Sequence, residues 1–278
     1  MYDQANHLRE LVRQGAVPPP TQPVRPPQLL VVTGGTSGVG ATTVAVNLAI
    51  ALARQGRRTL LADADPRGGS VARLLRLPQR PVPTDGPETP ATIEEILQPG
   101  PAGLDVLAAA SALDLFSPAS AVAPGPMSPP WPALVGRFEF VVVDAGSGPT
   151  RTARHWWQAA DLALLVTTTE PASVMTTYGS IKMLVSARRS VRAFGLVNRA
   201  PRRSAAREAY TQLARACRRF LAIRLGEAVH LLDDPQVAEA GSAAEPVVIR
   251  SPRSRIARRF RRLAKTVVRQ TKRSAVPR

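Results

Sequence analysis

The sequence predicts an α/β fold with a doubly wound, mostly parallel β-sheet. Two observations support this fold class: short apolar runs recur along the chain, and stretches of helical periodicity separate them. Apolar runs without polar alternation are typical of strands buried on both faces, and a helix between two such strands forms a parallel crossover. The predicted strands are residues 29–33, 59–63, 103–107, 140–144, 162–168 and 194–198. The predicted crossover helices are residues 42–54, 173–190 and 205–221.

Length and composition allow one substantial domain with short appendages, because 278 residues with 44% apolar side chains would be a tight fit for two. The net charge of +17 favours an anionic partner, and twelve arginines or lysines with no acid follow from Arg250 onward. No apolar stretch approaches the roughly 20 residues of a membrane-spanning helix, so a cytoplasmic protein is expected. The single Cys217 excludes an internal disulfide and is interpreted as a small apolar helix residue.

Four segments are predicted along the chain. Residues 1–14 form a short amphipathic helix, residues 15–27 a proline-rich linker, residues 28–250 the α/β domain and residues 251–278 a basic amphipathic tail. The first helix is too short to be stable alone in water, so we expect it to order on a partner or on its own domain. Between residues 77 and 131 the chain is rich in proline, alanine and serine, which predicts surface loops interrupted by one short helix at residues 92–97 and one strand.

A glycine-rich loop joins the first predicted strand to the first predicted helix. The order of strand, G-G-T-S-G-V-G-A-T-T and helix is the setting in which backbone amides and a helix N-terminus hold a phosphate group. Gly35 and Gly40 have the spacing of the G-x-x-x-x-G-K-[ST] motif, and Thr42 stands where a hydroxyl binds magnesium. Ala41 occupies the position of the lysine.

This stretch resembles the deviant phosphate loop K-G-G-V-G-K-T-T of the MinD/ParA family of P-loop NTPases. By that resemblance, Thr36 replaces the signature lysine that reaches across a dimer, and Ala41 replaces the ordinary lysine. The loop would hold ATP or ADP with Mg²⁺ through residues Gly35, Thr36, Ser37, Gly38, Val39, Gly40, Ala41, Thr42 and Thr43. Backbone amides can still hold an anion, but the charge neutralisation that drives phosphoryl transfer is lost. Whether the chain is an ATPase is therefore left open, and weak or absent hydrolysis is expected.

No lysine precedes Lys182, so no other lysine among the first 181 residues can compensate. Arg67 and Arg151 are the nearest candidates by motif position. A guanidinium is longer and planar, and it would not reproduce a buried ammonium group.

Further motifs follow in the order that the family has them. A-D-A-D-P-R-G resembles switch I, where Asp65 would orient the attacking water and Asp63 would assist the magnesium shell. F-V-V-V-D-A-G-S-G resembles the Walker B and switch II segment, where Asp144 would hold Mg²⁺ through water. A-F-G-L-V-N-R-A resembles the strand on the adenine side, with Asn198 facing the base. The resemblance covers about residues 28–250.

The opening D-Q-A-N-H-L-R resembles the D-Q-A-x-x-L-R start of FlhG-like flagellar number regulators within this family. In that branch the segment docks on FlhF, a GTPase of the signal-recognition type, and stimulates its hydrolysis. The resemblance implies that Gln4 is presented to such a GTPase and that Ala5, Leu8 and Leu11 form the docking stripe.

The tail fits this branch because MinD-like proteins end in a membrane-targeting helix. By resemblance, its arginines would meet anionic headgroups, and an apolar stripe would enter the inner face of the plasma membrane. The stripe consists of Ile256, Phe260, Leu263 and Val267. The same stretch also resembles the last packing helix of the family, which would place part of the stripe in the core.

The leading hypothesis is a nucleotide-state switch, able to form a homodimer, that places and counts flagella. One alternative is a nucleotide-free pseudo-ATPase scaffold. A second is a CpaE/TadZ-like pilus-localisation factor. Loops of that branch also often read G-V-G-A-T-T, but its members usually carry a receiver-like domain ahead of the loop. A third is a ParA-like DNA binder that uses the basic tail, since such patches bind nucleic acid non-specifically at low salt.

Overall fold

The computed structural model of the protein describes residues 26–78, 96–108, 134–187, 192–226 and 229–274. The strands in these ranges are β1 (Gln28–Gly34), β2 (Thr59–Asp63), β3 (Gln98–Pro99), β4 (Asp105–Leu107), β5 (Phe140–Ser147), β6 (Leu162–Thr167), β7 (Arg192–Ala200) and β8 (Val229–Leu232). The helices are α1 (Ala41–Ala53), α2 (Ser70–Leu75), α3 (Arg151–Ala159), α4 (Pro171–Ala187), α5 (Arg203–Leu221), α6 (Pro235–Ser242), α7 (Val247–Arg250) and α8 (Arg255–Ser274).

The described strands form one sheet in the order β3-β4-β2-β5-β1-β6-β7-β8. Neighbouring strands are parallel except for β3 and β4. The predicted doubly wound, mostly parallel sheet is therefore confirmed, and each of the six predicted strands is present. Strands β3 and β8 were not predicted, because neither is long and apolar enough to form a recognisable run.

Helices cover both faces of the sheet because successive strand residues point to opposite sides. In β1, Leu30 and Val32 face a core layer shared with α1 and α8, whereas Leu29 and Val31 face the layer shared with α3, α4 and α5. Trp157 is fully buried in the second layer. β1 lies at the centre of the sheet, between β5 and β6, so the loop that follows it opens between neighbouring strand ends.

Helix α1 is buried nearly all round because the sheet covers one side and α8 the other. Its buried polar exception is Asn47, whose side-chain amide both donates and accepts. Nδ2 donates to the Thr43 carbonyl at 2.8 Å, and Oδ1 accepts from the Val248 N–H at 3.1 Å. This second bond attaches α7 to α1 and positions the turn that leads into α8.

The basic tail helix is part of the α/β domain. Its apolar stripe packs into the same core layer as α1, with exposed fractions of 4% or less for Ile256, Phe260, Leu263 and Val267. The structure places in the core the four side chains that were predicted to enter a membrane, and α8 continues the packing of the domain past residue 250. An amphipathic stripe requires an apolar partner, but its periodicity does not distinguish a protein core from a lipid interface.

Several predictions lie outside the described residues. These are the N-terminal helix with Gln4, Ala5, Leu8 and Leu11, nearly all of the proline-rich linker, and most of the short helix expected between residues 92 and 97. They stay predictions. Among the helices that the structure describes, none is long and apolar enough to cross a membrane. Cys217 is a buried, unpaired core residue of α5, as predicted.

Candidate nucleotide-binding site

The glycine-rich loop runs from the end of β1 to the start of α1 along a path that glycines permit. Gly38 and Gly40 have φ angles of 81° and 88°, a left-handed conformation that other residues rarely adopt. A Cβ atom on Gly35 would collide with the backbone of Thr177 on α4. No side chain caps the start of α1, which leaves its first turn in the form of an anion-binding helix N-terminus.

The two positions that carry lysines in the motif have different surroundings here. Thr36 is exposed at the tip of the loop, together with Ser37 and Gly38. Ala41 is buried and belongs to the core layer around α1. The loop therefore presents backbone groups and hydroxyls to a ligand, and neither lysine position supplies a cation.

Two buried carboxylates lie beside each other at the carboxyl ends of β2 and β5. Asp63 and Asp144 are register partners in the sheet. Asp63 accepts hydrogen bonds from the N–H groups of Asp65 at 3.1 Å and Val71 at 3.3 Å. Asp144 accepts one from the Gly146 N–H at 3.2 Å through Oδ1, whereas its buried Oδ2 has no hydrogen-bond partner.

Burial is the main influence on the protonation of both groups, because desolvation disfavours a charged carboxylate. It raises the pKa of Asp144 to about 7, an effect that the nearby Thr42 hydroxyl partly offsets and that the charges of Asp63 and Asp65 reinforce. Desolvation likewise raises the pKa of Asp63 to about 6 against the opposing effect of its backbone hydrogen bonds. The site therefore concentrates negative charge that a cation would stabilise.

These residues fit a magnesium ion that is shared with phosphate groups. Among the described residues, no group of three or more histidine, cysteine, aspartate or glutamate side chains could hold a metal ion by itself. Magnesium usually keeps several waters and binds one or two carboxylates together with substrate phosphates. The Asp144 carboxylate lies near the Thr42 hydroxyl, and its Oδ2, which has no hydrogen-bond partner, is the kind of buried atom that such an ion or its water would satisfy. Thr42, Asp63 and Asp144 are brought together, and their roles toward Mg²⁺ stay predictions.

Asp65, the predicted water-positioning residue, is paired with Arg67. The guanidinium donates to the carboxylate from Nη2 at 2.9 Å and from Nε at 3.1 Å. Although burial acts in the opposite direction, these hydrogen bonds and the charge of Arg67 lower the pKa of Asp65. In this arrangement the Asp65 carboxylate is occupied by an internal partner. Arg151, the other candidate cation, begins α3 with an exposed side chain.

Asn198 lies against the loop itself. Its Nδ2 donates a hydrogen bond of 2.8 Å to the Val39 carbonyl, and a Cβ atom on Gly40 would collide with it. The next residue, Arg199, donates to the Gly38 carbonyl at 3.4 Å. The proximity of Asn198 to the loop agrees with the predicted series of motifs, whereas its contact with a base stays a prediction. The hydrogen bonds to the loop carbonyls were not predicted, because they depend on the order of strands in the sheet.

The fold and this site define a class of protein. A glycine-rich loop between the central strand and its helix, with acids at the ends of two neighbouring parallel strands, is the arrangement of P-loop nucleotide-binding α/β proteins. Residues 30–247 match the family described as the CobQ/CobB/MinD/ParA nucleotide binding domain. The chain belongs to that family.

Relatives and solved structures agree with this assignment. The chain is 31% identical over 244 residues to the antiactivator FleN of Pseudomonas aeruginosa. This match covers 88% of this chain and 87% of FleN. It is 25% identical over 168 residues to the flagellum site-determining protein YlxH of Helicobacter pylori. That match covers 56% of this chain and 53% of YlxH. The structure of the septum site-determining protein MinD from Pyrococcus horikoshii, complexed with Mg-ADP, matches with a TM-score of 0.66 at 20% identity and covers 86% of this chain and 95% of that one. This last likeness shows the fold, and the predicted membership of the MinD/ParA family, with FlhG-like flagellar regulators among its relatives, is confirmed.

Proposed function

We propose that this protein is a nucleotide-dependent switch that binds ATP or ADP with Mg²⁺ and hydrolyses ATP weakly or not at all. The proposal rests on a contrast within one site between the phosphate-binding features that are retained and the two lysines that are replaced. The loop, the uncapped start of α1 and the unpaired Asp144 oxygen are retained, whereas Thr36 and Ala41 replace both lysines. Backbone donors bind phosphate without a side-chain cation, but phosphoryl transfer depends on neutralising the charge that develops between the phosphates.

In the ligand-free protein Asp65 is not available to orient water. Its carboxylate is held by the guanidinium of Arg67, so Arg67 must move before Asp65 can face a terminal phosphate. With both loop lysines absent, the chain would report which nucleotide it holds more readily than it would consume it. By family resemblance it would also form a homodimer, although Thr36 could not make the lysine contact across the interface.

The biological role that we propose is control of flagellar number and placement through an FlhF-like GTPase. The likeness to the flagellum site-determining protein YlxH supports a role in this process, and the likeness to the antiactivator FleN supports a regulatory one. The opening D-Q-A-N-H-L-R supports the choice of partner. Gln4 would face the GTPase, and Ala5, Leu8 and Leu11 would dock on it.

This role is tested by measuring GTP hydrolysis of an FlhF-type GTPase with the full chain and Mg-ATP. We expect the unaltered chain to stimulate hydrolysis and Gln4→Ala to remove the stimulation, because the amide would be presented to the GTPase site. Asn6→Ala is the matched control, since it removes an amide at a variable position of the motif and should leave stimulation intact. Equal effects of the two substitutions would contradict the proposed partner. No binding of Mg-ATP at about 1 mM would instead favour the nucleotide-free scaffold.

We further propose that the protein associates with the inner face of the plasma membrane through charge rather than through apolar insertion. The solvent-facing side of α8 carries the exposed residues Arg255, Arg258, Arg261, Arg262, Lys265 and Arg269. Arg259 lies among these residues, and burial together with the nearby charges of Arg203 and Arg262 lowers its pKa. Such a surface attracts anionic headgroups with about 1 kcal/mol per basic residue.

Vesicle sedimentation tests the membrane proposal. The double substitution Arg258→Gln and Arg262→Gln should weaken binding to anionic vesicles by about 2 kcal/mol, since two basic residues leave the surface. The substitutions Arg215→Gln and Arg218→Gln remove the same charge from exposed positions on α5 and should have little effect. A preference for duplex DNA over anionic vesicles at physiological salt would support the DNA-binding alternative instead.

A further inference from the structure

Arg67 connects the three segments that surround the phosphate loop. Besides its two bonds to Asp65, the guanidinium donates from Nη1 to the Ser37 hydroxyl of the loop at 2.5 Å. It also donates from Nη2 to the Ser147 hydroxyl at the end of β5 at 2.9 Å. The side chain is 59% exposed, and its cationic end is hydrogen-bonded to the exposed part of the loop.

The local sequence explains why the side chain lies there. Residues 65–68 read D-P-R-G, and the Gly68 N–H donates to the Asp65 carbonyl at 2.7 Å, which closes a β-turn. Proline at the second position favours such a turn, and glycine at the fourth position is equally typical. Gly68 itself has a φ of 62°. The turn projects Arg67 back toward the carboxylate of its first residue and, with it, toward the loop.

We infer that Arg67 supplies the positive charge to a bound phosphate chain that the two absent lysines would supply. The inference rests on the proposed function, in which the loop binds a nucleoside diphosphate or triphosphate. A phosphate held by the loop amides would lie beside Ser37, within the range that the guanidinium already reaches. Phosphate and carboxylate are both recognised by the same planar, two-pronged arrangement of N–H donors.

This arrangement couples nucleotide binding to switch I. The phosphate chain and Asp65 compete for one guanidinium, so a bound nucleotide would draw Arg67 toward the loop and leave the Asp65 carboxylate without its internal partner. By the same linkage, a protein without the Asp65 carboxylate should bind phosphate more tightly, because the competitor is gone. Arg67 is thus a phosphate-binding residue that is placed on switch I instead of on the loop.

The test is the dissociation constant of the full chain for Mg-ADP and for inorganic pyrophosphate. Arg67→Ala should weaken both by about tenfold to a hundredfold, the range expected when a charge-assisted hydrogen bond is lost. Arg67→Lys should be intermediate, because it keeps the charge but loses the two-pronged geometry. Asp65→Asn should bind both ligands more tightly than the unaltered chain. Arg73→Ala, which removes the same charge from an exposed position on α2, should change neither constant.

The outcomes separate this inference from the function on which it rests. One outcome is that the unaltered chain binds Mg-ADP while Arg67→Ala binds it equally or more tightly. In that case Arg67 only stabilises the ligand-free loop, and the inference is overturned while the proposed function stands. If the unaltered chain binds neither ligand, the proposed function fails and the inference fails with it. Thermal unfolding of each variant checks that the substitutions leave the fold intact.

Discussion

Asp144→Asn is expected to raise the free energy of unfolding of the ligand-free protein by about 2–4 kcal/mol at pH 8 while it removes the effect of Mg²⁺ on nucleotide affinity. Asp144 is fully buried, and one of its oxygens has no hydrogen-bond partner. Above neutral pH it must be charged in that environment, which costs free energy unless a cation is present. Asparagine keeps the carbonyl oxygen that accepts the Gly146 N–H and carries no charge.

The pH dependence follows from the sign of the shift. The pKa of Asp144 is about 7 in the folded protein against an ordinary value of 3.8, so between these values the folded state holds a proton that the unfolded state has released. Stability therefore falls as pH rises from about 4 to about 7. Asp63, with a pKa raised to about 6, acts in the same direction. In Asp144→Asn the fall should be smaller, because only Asp63 of the pair still titrates.

Urea unfolding at pH 5 and pH 8 without Mg²⁺ or nucleotide measures the first effect, and ADP binding with and without Mg²⁺ measures the second. Asp233→Asn is the matched control, since it makes the same chemical change at an exposed position and should alter stability by no more than about 0.5 kcal/mol. Equal stability of Asp144→Asn and the unaltered protein at pH 8 would show that the carboxylate is already compensated. Retained Mg²⁺ dependence would remove Asp144 from the metal site.

Phe260→Ala is expected to lower the free energy of unfolding by about 3–5 kcal/mol, the usual cost of a cavity left by a buried aromatic ring. Phe260 is 1% exposed and packs on α8 against the core layer that also contains α1. Removal of the ring would therefore loosen the packing of α8 on α1, the helix that follows the phosphate loop. Denaturant unfolding of the full chain in the absence of lipid measures the change.

Phe220→Ala is the matched control because it makes the same substitution at a side chain that is 66% exposed on α5. Its effect should stay within about 0.5 kcal/mol. The comparison decides between the two interpretations of the apolar stripe. If the stripe served a membrane, Phe260→Ala would leave stability in solution unchanged and would weaken only vesicle binding.

The parts of the site that the sequence predicted are those that follow from local order along the chain. The loop comes directly after an apolar run, and Asp63 and Asp144 each end one, so parallel strands must bring them to the same edge of the sheet. The contacts of Arg67 could not be predicted from local order in this way. Motif spacing marked it as a candidate cation, but its contacts with Ser37 and Ser147 join residues 30 and 80 positions apart, and only the packed sheet brings those residues together.

The sequence alone determined the sheet, the phosphate loop and the absence of lysine from it, because periodicity and neighbouring residues specify these features. Only the tertiary structure decided two others: that the stripe of α8 lies in the core and that Arg67 lies beside the loop. The physical reason is the same in both cases. An apolar stripe or a long cationic side chain can be satisfied by several partners, and which partner it meets depends on surfaces that the fold brings together from distant parts of the chain.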